Sequence, residues 1–412
     1  MKRTIILFLL ISFKMYGQND SLPFIRDSFN VIQNASGLDK YFKSIKSYKN
    51  KSSNEINIVH VGDSHVQAGF YSEPIRKDLQ AKLGNGGRGL VFPYQAAKTN
   101  GPTDYSFSSN QTWKAKRNCI EKGNLPTGIS GHAIYNNSKA AVLTFKPRDR
   151  NLIGKPTEIE IYHLSNLDSN FTYQITDSLG QIIGSIDTIK STPTKSVFKV
   201  SKPVFQWNII PNLTNDTGKS STILGMNLIN NAGLKMHTIG VNGAEYKHYL
   251  RSEFFNIQLK ELNPDLIIVS LGTNEAYNTK DFDPIKFEAI VDSFIVITKL
   301  NNENASILLA SPPSIGQATV TRNKKKRKVY QYTENKNIPI VCEILQRQAI
   351  KHQCAYWNFY EVMGGYNSIN KWFAKGMTDK RRIHFSKKGY LIQGNLLKNA
   401  LNSEMQQKII QE

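Results

Sequence analysis

INIVHVGDSHVQAGF, residues 56–70, changes character at one residue. Ile56–Val61 is close to a continuous apolar run, the pattern of a strand covered on both faces. Gly62 and Asp63 then turn the chain, and Ser64 opens a segment of helical character with no proline and no hairpin signal. Two readings stand side by side. Ser64 is either a turn or N-cap residue, or a hydroxyl held at the end of a sheet as a nucleophile.

Four further runs resemble buried strands: KMHTIGV (235–241), DLIIVSLG (265–272), ASILLAS (305–311) and CAYWNF (354–359). Helical patterns follow or separate them. In SEPIRKDLQAKLG (72–84), Ile75, Leu79 and Leu83 repeat every four positions, Pro74 sits in the first turn and Gly84 stops the helix. Residues 285–300, 338–353 and 386–405 behave alike. Such alternation predicts an α/β fold, a three-layer parallel sheet of about five strands. Ligand sites in such sheets gather at the C-terminal strand ends, where Ser64 falls.

Between about Thr103 and Lys235 the alternation stops. Short β-type runs such as TEIEIYHL (157–164), FTYQITD (171–177) and STILGMNLI (221–229) are separated by turn signals at Asn136-Asn137, Leu179-Gly180 and Asn230-Asn231. An inserted all-β sandwich over 103–235 is expected, splitting the α/β domain into 18–102 and 236–412. Its aromatic residues Trp113, Tyr173 and Trp207 suit either a sugar platform or a core.

Lys2 and Arg3 precede the apolar run Thr4–Phe13, and Gly17 precedes polar QND, as in a secretory signal peptide over residues 1–17. Ten apolar residues are too few to span a bilayer, and no cysteine follows for lipid attachment, so no stable membrane anchor is expected. The chain is read as exported, to the periplasm or beyond the cell. Cys119, Cys342 and Cys354 have neither the number nor the spacing of a disulfide framework or a zinc site, so no metal and no cofactor are expected.

The net charge of +21 calls for an anionic partner or environment. RNKKKRK, Arg322–Lys328, is the densest run. Export argues against nucleic acid, leaving a solvated basic loop or a contact with an acidic cell-surface polymer. GNGGRG (84–89) lacks the Lys-Ser/Thr of a phosphate-binding loop and reads as a flexible loop. His60 and His237 lie inside predicted strands and read as core or sheet-edge residues; His65 is placed to line a pocket or to pack the turn.

The other strand ends carry matching groups. HTIGV ends in NGAEY, with Gly243 where a backbone N–H can approach a ligand, and LIIVSLG ends in TNEAY, with the amide of Asn274 on the same edge. In RIHFSKKGY, His384 precedes a helix capped by Ser386. Each is an ordinary turn by itself. Together they offer a nucleophile, two oxyanion donors and a base, the set that acyl transfer from an ester requires.

In order, GDSH at Ser64, NGA at Gly243, GTNEAYN at Asn274 and RIHFSKKGY at His384 resemble the four blocks of the SGNH (GDSL-like) hydrolase family. The resemblance covers about 56–95 and 235–402 and implies an SGNH/flavodoxin-like fold. The β-insert between the first two blocks is similar to that of the peptidoglycan O-acetylesterases with a carbohydrate-binding-like insert. The family pattern makes Ser64 the nucleophile, His384 the general base, and Gly243 and Asn274 partners of the Ser64 amide in an oxyanion hole. It implies an exported serine esterase acting on O-acetyl groups of a cell-envelope glycan, peptidoglycan foremost. A decayed glycan-binding protein and a glycan O-acyltransferase on the same site are the alternatives.

One position departs from the pattern. The family places Asp three residues before the histidine, where this chain has Arg381; Asp379 stands five before. The partner of His384 is therefore open between Asp379 on a bulged loop, a backbone carbonyl, and a carboxylate from elsewhere such as Glu275.

Overall fold

The structure is a computed structural model describing residues 22–122, 125–138, 140–164, 171–213, 221–230, 232–322 and 327–410. The expected leader, 1–17, lies outside them.

A six-stranded sheet runs in the order Ile32–Gln33, Ala355–Trp357, Ser306–Ala310, Leu266–Ser270, Glu55–Gly62, Gly233–Gly240. Five strands are parallel and coincide with the five apolar runs; the two-residue edge strand Ile32–Gln33 is antiparallel and too short to carry a pattern. Alternate residues supply the two cores. Ile56 and Ile58, with Leu266 and Ile268, face Tyr41, Ile75, Leu79 and Leu397, which come from helices Asp39–Lys49, Glu73–Leu83 and Lys387–Ile410. Val59 and Val61, with Ile267 and Val269, face Tyr249, Leu259, Val291 and Leu345 from helices Tyr246–Leu250, Phe255–Glu261, Pro284–Asn301 and Asn337–Lys351. Helices on both faces make the three layers.

Two antiparallel sheets occupy the middle of the chain. One is seven-stranded, with Gly184–Ile186, Lys195–Val200, Glu158–Leu164, Ser221–Ile229, His132–Asn136 and Lys114–Arg117 in spatial order and Gly89–Val91 pairing with Ser221–Ile229 off this path. The other is four-stranded: Tyr105–Ser109, Leu143–Pro147, Trp207–Leu213, Phe171–Thr176. Between them Phe107, Phe145, Trp207, Ile161, Ile223 and Met226 form a third core. Trp113, Tyr173 and Trp207 are all buried in it, so they are packing residues and offer no sugar platform.

The antiparallel region begins earlier than 103, because Gly89–Val91 already pairs with Ser221–Ile229. The segment before it corrects the reading of 84–89 as a flexible loop. Gly86 through Gly89 are buried, and the Gly86 amide donates to Leu234 O while its carbonyl accepts from Asn230 N. Gly87 has φ +128, and a Cβ there would lie 2.2 Å from Leu228 O. The glycines serve close backbone approach between sheets, not mobility.

The basic run, expected to be a solvated loop, lies for the most part, at 323–326, outside the described residues. Gly316–Arg322 and Lys328–Glu334 pair as an antiparallel hairpin. Among the described residues no helix is long and apolar enough to cross a membrane.

Candidate active site

Gly62 is in register with Gly240 on one side and Ser270 on the other, so three strands end side by side. They lie where the strand order reverses, with Glu55–Gly62 between Gly233–Gly240 and Leu266–Ser270. Ser64, Gly243 and Asn274 each follow one of these ends within a few residues, and that common edge brings them together although the sequence separates them widely.

The Ser64 hydroxyl is 2.9 Å from His384 Nε2. Asp63 caps the short helix Ser64–Gln67, its carboxylate accepting from His65 N at 2.9 Å, which fixes the turn carrying the serine. Gly243 has φ +85, while an added Cβ would meet nothing nearer than Cys119 Sγ at 3.8 Å. The requirement at this position is thus the left-handed backbone, not space. The Asn274 amide donates to Ala244 O at 2.9 Å, which fixes its plane, and its second contact, to Asp63 Oδ2, is a longer 3.4 Å.

Asp379 reaches His384 across the neck of a loop rather than along it. Thr378 and Phe385 form an isolated bridge, Asp379 N donates to His384 O at 2.8 Å, and Arg382 adopts φ +57 to close the turn. The two extra residues are absorbed in that turn. Asp379 Oδ1 accepts from Ile383 N at 3.1 Å, and Oδ2 stands 3.6 Å from His384 Nδ1. Arg381 Nε lies 3.6 Å from that same Oδ2. At 3.6 Å the separation from Nδ1 is longer than a formed hydrogen bond. Glu275 is not the partner: its carboxylate accepts from Tyr246 N at 2.8 Å, and burial raises its pKa to about 8.

His384 titrates below the ordinary histidine value. Burial is the main cause, with Asp379 opposing it and Arg381 assisting it. Behind it His65 is buried and bonded to the Tyr390 hydroxyl at 3.1 Å; burial holds its pKa well below the usual range, which disfavours a second cation beside His384. Burial also raises Asp63 to about 7. His60 lies inside its strand, bonded to Ser72 and Ser270, and His237 accepts from Leu90 N at 3.2 Å; both are structural.

A cleft of about 480 Å³ is lined by Ser64, Asn242, Gly243, Asn274 and His384, with Asn100, Phe70 and Lys387 at its sides. Asn100 and Gln67 had no signal in the sequence. Gln67 Oε1 accepts from Asn242 N at 2.5 Å and its Nε2 donates to Asn100 O at 2.6 Å, tying the turn before Gly243 to the turn at Asn100.

Residues 212–392 match the family model of the GDSL-like Lipase/Acylhydrolase family. The matched span holds Gly243, Asn274 and His384; Ser64 lies before it, on the far side of the insert. No curated protein matches the chain by sequence. Among solved structures, a peptidoglycan O-acetylesterase is similar over 93% of this chain and 98% of its own, with a TM-score of 0.72 and 21% identity. An acetyl xylan esterase, AlAXEase, is similar over 41% of this chain and 80% of its own, with a TM-score of 0.31 and 22% identity. A lipase/acylhydrolase from Enterococcus faecalis covers 42% of this chain and 77% of its own, with a TM-score of 0.30 and 16% identity.

Proposed function

Starting from an α/β part that is an SGNH (GDSL-like) hydrolase domain, we propose that this protein is an exported serine esterase that removes O-acetyl groups from a cell-envelope glycan, peptidoglycan foremost. The observation that carries the reading is the Ser64 hydroxyl at 2.9 Å from His384 Nε2, at the mouth of a cleft that Gly243 and Asn274 also line. Ser64 Oγ attacks the ester carbonyl as its proton passes to His384. The carbonyl oxygen becomes an oxyanion beside the Ser64 and Gly243 amides and the Asn274 side chain. Collapse breaks the bond to the sugar oxygen, which takes the proton from His384 and leaves an acetyl-Ser64. Water, deprotonated by His384, then releases acetate and restores the serine.

The full-length likeness to a peptidoglycan O-acetylesterase supports the acetyl-glycan substrate, and the leader-like first residues support export. The test is acetate release from O-acetylated peptidoglycan beside acetylated xylan and p-nitrophenyl acetate. Turnover of none of them, with glycan binding retained, would instead point to a decayed binding protein.

Asn274→Ala is expected to lower kcat by a factor on the order of 10²–10³, the usual worth of one preorganised oxyanion donor. A change confined to KM would make Asn274 a substrate-positioning residue. The pH profile has a defined sign. His384 must be neutral to accept the proton, so kcat/KM falls as pH drops through its pKa, and burial places that limb below the ordinary histidine value of about 6.5. Arg381→Ala removes a neighbouring cation, raises the His384 pKa and moves the acid limb to higher pH. An unmoved limb, measured on p-nitrophenyl acetate, would separate Arg381 from the electrostatics of the base.

A further inference from the structure

We propose that the groove beside the cleft, lined by Lys114, Lys116, Arg117, Ile120, Lys122 and Tyr135, is a subsite for a carboxylate-bearing glycan strand whose acyl ester reaches Ser64. The proposal rests on the esterase reading and adds what holds the rest of the substrate. The groove encloses about 620 Å³ and carries four cations, with no acidic side chain in its described lining. The adjacent Glu121 is engaged with Arg251 at 2.9 Å.

Lys114–Arg117 is the outer strand of the seven-stranded sheet. Lysines on such an edge often serve only to discourage pairing with another chain. Here two further observations point to a ligand. The basic strand lines a cavity rather than a convex edge, and a lining residue of that cavity contacts a lining residue of the catalytic cleft. Arg117 Nη1 donates to Asn242 O at 3.4 Å and Cys119 Sγ to the same oxygen at 3.3 Å, while Asn242 itself lines the cleft with Ser64. The contact between Arg117 and Asn242 joins the two linings.

The lining suits an anionic sugar chain. Tyr135 lies in register with Lys114, whose Nζ is 5.9 Å from the ring centroid, and Ile120 adds apolar surface for the C–H face of a sugar. Arg117 offers a planar fork of donors and the lysines offer point charges, both suited to carboxylates. The ester is neutral, so the groove acts on the chain that carries it, through binding and not through the chemical step.

Lys114→Glu/Lys122→Glu reverses two exposed charges that touch none of Ser64, His384, Gly243 or Asn274. The ratio of kcat/KM on O-acetylated peptidoglycan to that on p-nitrophenyl acetate is expected to fall roughly ten-fold or more at low salt, the difference narrowing as salt screens the groove. An unchanged ratio would overturn the proposal. Binding by Ser64→Ala protein to de-O-acetylated peptidoglycan fragments, polygalacturonate and unmodified xylan reads the groove without catalysis. If the wild type hydrolyses no ester, this arm still decides, so failure of the esterase reading and of the subsite are distinguishable. Retention of the two anionic glycans, lost in the double variant, with little retention of xylan, is the expected result. Preference for the peptidoglycan fragments assigns the groove to lactyl or peptide carboxylates, and equal retention of polygalacturonate assigns it to glycan carboxylates in general. Xylan retained as tightly as the anionic glycans would overturn it.

Discussion

Ser64→Ala is expected to lower kcat on p-nitrophenyl acetate by roughly 10⁴-fold or more and to leave the thermal unfolding curve close to that of the wild type. The size follows from the role: without the hydroxyl no acyl-enzyme forms, and what survives is the contribution of oxyanion donors and binding to direct attack by water. The unchanged fold follows from the surroundings. The turn is held by the Asp63 carboxylate on His65 N and by the Val66 and Gln67 amides on Asp63 O, none of which uses the Ser64 side chain. Comparable turnover by the variant would remove Ser64 from the mechanism.

Asp379→Asn carries the second large effect, a loss of kcat of up to about 10⁴, the scale observed when a triad carboxylate loses its charge. The substitution is informative because it preserves the loop. An asparagine oxygen still accepts from Ile383 N, and the backbone bond from Asp379 N to His384 O is untouched. What disappears is the negative charge 3.6 Å from Nδ1, which in the proposed mechanism orients the imidazole and stabilises its cation. Two readouts accompany the loss. The His384 pKa falls further, so the acid limb of the pH profile moves down, opposite to the shift expected for Arg381→Ala. A nearly silent substitution would instead describe a Ser-His dyad whose imidazole is held by other contacts.

The parallel sheet was legible because a strand buried on both faces must be apolar at nearly every position, as Leu266–Ser270 and Ser306–Ala310 are. Ile32–Gln33 was not, since two residues carry no period. The glycines at 84–89 misled because glycine serves mobility and close approach alike, and only the neighbouring Leu228 and Leu234 carbonyls tell them apart. Candidate site residues could be picked at strand ends without knowing the strand order. The geometry of Asp379 could not, because it depends on a bridge from Thr378 to Phe385 and a left-handed Arg382 that no local pattern announces. The groove at Lys114–Lys122 escaped for a related reason: alternating basic and small residues on an edge strand acquire meaning only beside Asn242.

The pairing of Glu55–Gly62 with Gly233–Gly240 has a bearing on how the molecule comes to exist at all. The strand that delivers Ser64 finds this parallel neighbour only after the whole antiparallel region has been synthesised, and Leu266–Ser270, on its other side, comes later still. These are contacts of high order, whose closure entropy is met before packing rewards it. In the folded chain Gly89–Val91, docked on Ser221–Ile229, brings the two ends of the long connection together at the level of the sheet. It is a clasp: it holds Gly233 beside Glu55, and Ser64 stands beside Gly243 and Asn274 only where that long-range pairing is made.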